Sequence, residues 1–155
     1  MCLILDANRA GKFFAPSPGP DDACVWAWLE RGGKLVFGGH LADEMQKVVR
    51  AQKMLVELKR SGKAHRAPDE AVRAAEAGLV GVALLSNDKH VVALALATRT
   101  RRLFSDDQAL TQDFTNPAIL SKPRGKVYNR AAHAHLLAHT DGCPGNCAKS
   151  SRRHK

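Results

Sequence analysis

The sequence predicts an α/β protein, a three-layer sandwich in which a mainly parallel sheet of about four to five strands is flanked by helices. Three observations predict it. Short apolar runs of strand length alternate with longer stretches whose apolar residues recur at helical spacing. The opening run, Cys2-Leu3-Ile4-Leu5, is apolar at every position, as in a strand buried on both faces of a parallel sheet. Glycine pairs and Pro/Gly clusters punctuate the joints between these stretches.

Each element has its own signal. The first strand stops at Asp6-Ala7-Asn8, and FAPSPGPDD (14–22) reads as a loop. Asp21 or Asp22 caps a helix whose apolar face holds Val25, Trp26 and Leu29, and Gly32-Gly33 ends it. Lys34 to Phe37 is a second strand, followed by Gly38-Gly39. One long helix is expected from about His40 to Arg60, with Leu41, Met45, Val48, Val49, Leu55 and Val56 near one face. Ser61-Gly62 stops it. An extended piece at 64–68 precedes a helix that starts at Asp69 and closes at Gly78.

The chain is organised around residues 86–113. Ser86, Asn87 and Asp88 open a helix with an apolar body of Val91, Val92, Leu94, Ala95 and Leu96. Leu103-Phe104 is a short strand that ends at Ser105-Asp106-Asp107. Ile119 and Lys126-Val127-Tyr128 are each expected in a last short strand, with Pro123-Arg124-Gly125 turning between them. A terminal helix follows at 131–138.

A length of 155 residues suits one domain with a real core, here placed at residues 1–140, and 45% hydrophobic content supports a globular chain. Aromatics are only 5%, so Ala, Leu and Val must build that core. No apolar run approaches the roughly 20 residues of a membrane span. The start MCLILD lacks the basic region and cleavage site of a signal peptide. A cytoplasmic protein without membrane association is expected, with Cys2, Cys24, Cys143 and Cys147 reduced. The net charge of +9 is uneven: residues 1–121 hold 16 basic and 14 acidic residues, residues 122–155 hold 8 and 1. A nearly neutral body with a basic tail, expected to be disordered at 141–155, suits a polyanion partner.

Four acids stand at corresponding places in this layout. Asp6 ends an apolar strand, where open α/β sheets bind ligands. Glu44, three residues after Leu41 and four before Val48, lies on or beside an apolar helix face. Asp88 precedes Val91 and Val92 at a helix start, and Asp106 and Asp107 close a strand; Asp113 is one further candidate. Singly, each suits a turn or a helix cap. Together they make a carboxylate cluster that needs a cation to neutralise it. Mg²⁺ or Mn²⁺, hard ions with oxygen ligands, suit such a cluster and support in-line displacement at phosphorus.

At this point the chain resembles the PIN-domain nucleases, a family of metal-dependent ribonucleases and related proteins. The matching pieces are LILDAN (3–8), Glu44 after the second strand, NDKHVVALAL (87–96) and LFSDDQALTQDF (103–114), with KPRGKVY (122–128) as a closing segment. The resemblance implies a PIN-like fold and Asp6, Glu44, Asp88 and Asp107 as catalytic metal ligands for Mg²⁺ or Mn²⁺, with Asp106 in reserve. Asn8 and Ser105 match polar positions that hold strand-end acids or the metal water. The implied activity is an endoribonuclease hydrolysing phosphodiester bonds, with RNA as partner, a homodimeric assembly and, for toxin-type members, an antitoxin protein. The long loop before Asp21 and the tail depart from the commonest toxin members.

The rival expectation is a PIN-fold RNA-binding or regulatory protein with little or no turnover. A phosphohydrolase of the haloacid dehalogenase type also begins with a strand-end Asp, but wants a second Asp where Asn8 stands. His135, His139, Cys143 and Cys147 recur at intervals of four, with His133 nearby, and invite a zinc reading. Pro144 and Gly145 break any single helix across that set, which makes an exposed basic end the plainer account.

Overall fold

A computed structural model describes residues 2–138. Five strands form one parallel sheet: β1 (Cys2–Leu5), β2 (Lys34–Phe37), β3 (Ala64–Arg66), β4 (Arg102–Phe104) and β5 (Lys126–Tyr128). Their order is β3-β2-β1-β4-β5, so β1 lies in the middle, pairing Ile4 with Val36 on one side and with Leu103 on the other. That position explains why every residue of β1 is apolar and buried. Chain order runs outward from β1 in one direction through β2 and β3, then restarts beside it with β4. The crevice between the carboxyl ends of β1 and β4 is therefore a topological switch point. Asp6 and Ser105 are the first residues beyond those two ends.

The helices are α1 (Ala7–Phe13), α2 (Pro20–Glu30), α3 (Gly39–Gln46), α4 (Ala51–Arg60), α5 (Asp69–Gly78), α6 (Lys89–Thr98) and α7 (Gln108–Thr115), with a terminal 3-10 helix at Ala131–Ala138. With the sheet they make the expected three-layer α/β sandwich. The strand and helix boundaries at β2, α5 and β5 fall close to those read from the sequence.

Three expectations change. Residues 7–13 form a helix, where the sequence suggested only the exit from a strand. Its inner side is short, Ala10 and Phe13 with Phe14 just beyond, too brief for periodicity to reveal. Trp26 of α2 stacks on Phe13 at 4.6 Å and donates its indole N–H to the Phe13 carbonyl at 3.0 Å. Second, the long helix expected across 40–60 is two helices. Arg50 takes the left-handed conformation (φ 72°) and its Nε donates to the Phe14 carbonyl at 3.1 Å, while Val49 is 83% exposed. An apolar pair that seemed to continue the buried face instead marks the break. Third, Ile119 lies in a turn rather than a strand: its N–H and that of Leu120 both reach the Asn116 carbonyl. The expected terminal helix is present at Ala131–Ala138, as a 3-10 helix.

Cys24 is a free thiol. Among the described residues no helix is long and apolar enough to cross a membrane. The basic tail at 141–155, and His139, Cys143 and Cys147 of the zinc reading, lie outside the described residues.

Candidate metal centre at the carboxyl ends of the strands

Two backbone devices build the floor of the crevice. The Asp6 N–H donates to the Phe104 carbonyl at 3.0 Å, extending the β1–β4 pairing by one residue and aligning Asp6 with Ser105. Ser105 is fully buried, and its hydroxyl donates to Asp6 Oδ2 at 2.7 Å while accepting the Asp107 N–H at 3.1 Å. One hydroxyl thus sets the positions of two acids. Asp107 is also the N-cap of α7, its Oδ1 accepting from the Leu110 N–H at 3.0 Å.

Asp88 occupies the N-cap position of α6, yet its side chain makes no capping hydrogen bond. Its own N–H is held by Ser86 Oγ at 3.3 Å. The carboxyl instead feels the neighbouring charge of Asp107. Both α6 and α7 therefore start at the crevice with their positive ends toward these acids. The loop before Asp88 is tied down from below. Buried Asp113 accepts the N–H groups of Leu85 and Ser86, each at 2.9 Å, so its role is to hold the backbone that presents Asp88.

Glu44 enters from α3. That helix begins at Gly38-Gly39, where φ values of 155° and 55° suit residues without a Cβ, and a Cβ on Gly39 would press on Val72. Glu44 is half-buried at the rim, and its Oε1 lies 2.6 Å from Nε2 of His90. His90 is 8% exposed, and His40 sits edge-on to it with ring centroids 4.8 Å apart.

The electrostatics tie the acids together. Burial pushes the Asp6 carboxyl above its ordinary value, the Ser105 hydrogen bond partly opposes this, and the charges of Asp88 and Glu44 push it further. Burial likewise raises Asp88; His90 opposes, while Asp107 and Glu44 reinforce the rise. The charges of Asp88 and Glu44 thus reach Asp6, and those of Asp107 and Glu44 reach Asp88. Among the described residues the group of three or more possible ligand atoms that lie within 4.8 Å of one another is His40, Glu44 and His90. By residue type alone, four carboxylates would suit hard ions such as Mg²⁺ or Mn²⁺.

Other sequence candidates lie elsewhere. Asp106, the reserve ligand, is 44% exposed and its Oδ2 takes Arg9 Nη1 at 3.0 Å. The same guanidinium binds buried Asp22 at 2.7 Å and lies 4.6 Å from the Phe104 ring centroid, a bridge that draws Asp106 toward α1. Asn8 is exposed on α1. Asp21 accepts the Ala131 N–H at 2.7 Å and so receives the terminal 3-10 helix. His40 and His90 were not among the sequence candidates. The spacing of His40 and Glu44, one helical turn, was readable, but nothing in the order of residues showed that α6 would bring His90 to them.

No family model matches the chain, and no curated protein matches it.

Proposed function

We propose that the protein is a Mg²⁺- or Mn²⁺-dependent endoribonuclease that hydrolyses phosphodiester bonds at the cradle of Asp6, Glu44, Asp88 and Asp107. The observation that carries this is buried Asp6, raised by the charges of Asp88 and Glu44 and held by Ser105, at the switch point of a parallel sheet, with Asp88 in turn raised by Asp107. A fold gains nothing in stability from three crowded acids; a cation makes them useful. The resemblance to PIN-domain nucleases supports the same four residues. RNA is the substrate on this reading, and a second copy of the chain and an antitoxin protein are the further partners.

The bound ion would neutralise charge on the phosphodiester and lower the cost of generating a nucleophile from water. Asp6, Asp88, Asp107 and Glu44 would hold it. Ser105 keeps Asp6 and the backbone of Asp107 in fixed relation, and Asp113 keeps the Asp88 loop in place. The N-termini of α6 and α7 favour anionic groups, so a phosphate entering the crevice meets two positive helix ends.

The test is cleavage of single-stranded RNA by the purified full chain with Mn²⁺ or Mg²⁺. Cleavage is expected, and both chelation and Asp6→Asn or Asp88→Asn should reduce it by about a hundredfold or more, since such ions supply several kcal/mol of transition-state stabilisation. Cleavage that survives both substitutions would overturn the four-acid assignment. RNA binding without turnover in any divalent ion would favour the non-catalytic RNA-binding reading.

A further inference from the structure

We propose that His40, Glu44 and His90 form a second metal site, for a divalent ion of the zinc type, beside the acid cradle and sharing Glu44 with it. One ligand atom from each of the three lies within 4.8 Å of the other two. Two imidazoles and one carboxylate are a recognised three-ligand zinc set that leaves a position open. Imidazole nitrogen suits zinc and its transition-metal neighbours, whereas Mg²⁺ prefers oxygen throughout. The site therefore differs in ion preference from the cradle next to it.

The three donors need only side-chain adjustment to close on an ion. Donors at about 2.0–2.1 Å from a tetrahedral ion lie about 3.3–3.4 Å apart. The His90–Glu44 pair, at 2.6 Å, would open by less than an ångström. His40 and Glu44 stand one turn apart on α3, on one side of the helix. His90 comes from the first turn of α6, which packs against α3, and its burial fixes the ring in place. An ion has a way in, because His40 is exposed and the Glu44 side chain is 32% exposed. An ion pair between Glu44 and His90 accounts for two of the three side chains. It gives no reason for His40 to bring its ring edge-on to His90 with a nitrogen in range of the same carboxylate.

This inference does not depend on the nuclease reading, and its test keeps the two apart. Co²⁺, a visible substitute for zinc, would be titrated into the metal-free full chain and followed by its absorption, with Zn²⁺ in competition. Uptake at a nitrogen/oxygen site is expected. His40→Gln, on an exposed residue that need not disturb folding, and His90→Gln should each weaken it by about tenfold or more, at least the loss that follows removal of a ligand's outer partner. Asp6→Asn should leave it within about twofold. Unchanged Co²⁺ affinity in His40→Gln would overturn the proposal, as would a thiolate-to-metal charge-transfer band that accounts for all uptake. A loss in Asp6→Asn as large as in His40→Gln would put the ion in the cradle and also overturn it. Absence of RNA cleavage would sink the nuclease reading while leaving these results standing.

Discussion

Asp88 and Asp107 are the N-caps of two helices, α6 and α7, and burial and the charge of Asp107 raise the Asp88 carboxyl, with only Asp107 using its side chain as a cap. Two helix starts that would each accept an acid comfortably have been brought near enough for the charge of one acid to raise the other. The consequences of that arrangement, and of the groups that hold it, can be measured.

Asp88→Asn should stabilise the metal-free protein at neutral pH by about 1 kcal/mol, a gain of the size found when a strained functional residue is replaced. The sign follows from the raised carboxyl: its stability contribution is complete below 3.8 and is lost as pH rises through the raised folded value. The amide removes that loss, and α6 loses no cap. Mg²⁺ at a hundred times its dissociation constant should add about 2.7 kcal/mol to the wild-type chain and much less to the variant. Thermal melts with and without Mg²⁺ check both statements.

Ser105→Ala removes the one hydroxyl that joins Asp6 to the Asp107 backbone. Stability should fall by about 1–2 kcal/mol, the cost of buried partners left unsatisfied. Metal affinity should weaken as Asp6 gains freedom, and the cleavage rate should recover in part at high Mn²⁺. Urea denaturation and a Mn²⁺ titration of cleavage separate the two effects.

Asp113→Asn leaves one oxygen where two backbone donors need two. A destabilisation of about 2–3 kcal/mol is expected. Faster amide exchange should appear at Leu85 and Ser86, and cleavage should fall because Asp88 is carried on that loop. Exchange confined to those amides, with β1 and β4 unchanged, is the expected pattern.

Asp106→Asn should change metal affinity little, because its carboxyl is turned to Arg9 and half-exposed. Its cost in stability should stay under about 1 kcal/mol, as for other exposed pairs. A metal-binding loss matching that of Asp88→Asn would return Asp106 to the ligand set.

His65 of β3 supplies a pH dependence outside the site. Burial, with Lys34 and Lys59 nearby, lowers its basicity below the ordinary 6.5. Between the lowered folded value and 6.5 the unfolded chain binds more protons, so stability rises with pH across that window and is lost on acidification through it. Melting temperatures taken downward from pH 7 should fall in wild type and fall less in His65→Gln.

Much of the architecture was legible along the chain. The apolar run of β1 and the Gly-bounded run of β2 read directly, because a buried parallel strand needs no polar face. Breaks were harder. The Arg50 turn is made by a bond to the Phe14 carbonyl, a partner far away in sequence, and the apolar residues on either side gave no sign of it. α1 was hidden because its apolar side is too short to show a period. Among the acids, Asp113 carried no local mark that separates a loop anchor from a ligand.

The sequence by itself determined the alternation of strands and helices and the order in which Asp6, Glu44, Asp88 and Asp107 occur, since both follow from local periodicity and residue type. Only the tertiary structure decided which oxygens meet. Asp6 and Ser105 are 99 positions apart and touch because β1 pairs with β4. His90 reaches Glu44 because α6 packs on α3. Contacts of that kind depend on how elements pair across the core, and the energy that selects the pairing is spread over the whole buried surface rather than written at the residues it brings together.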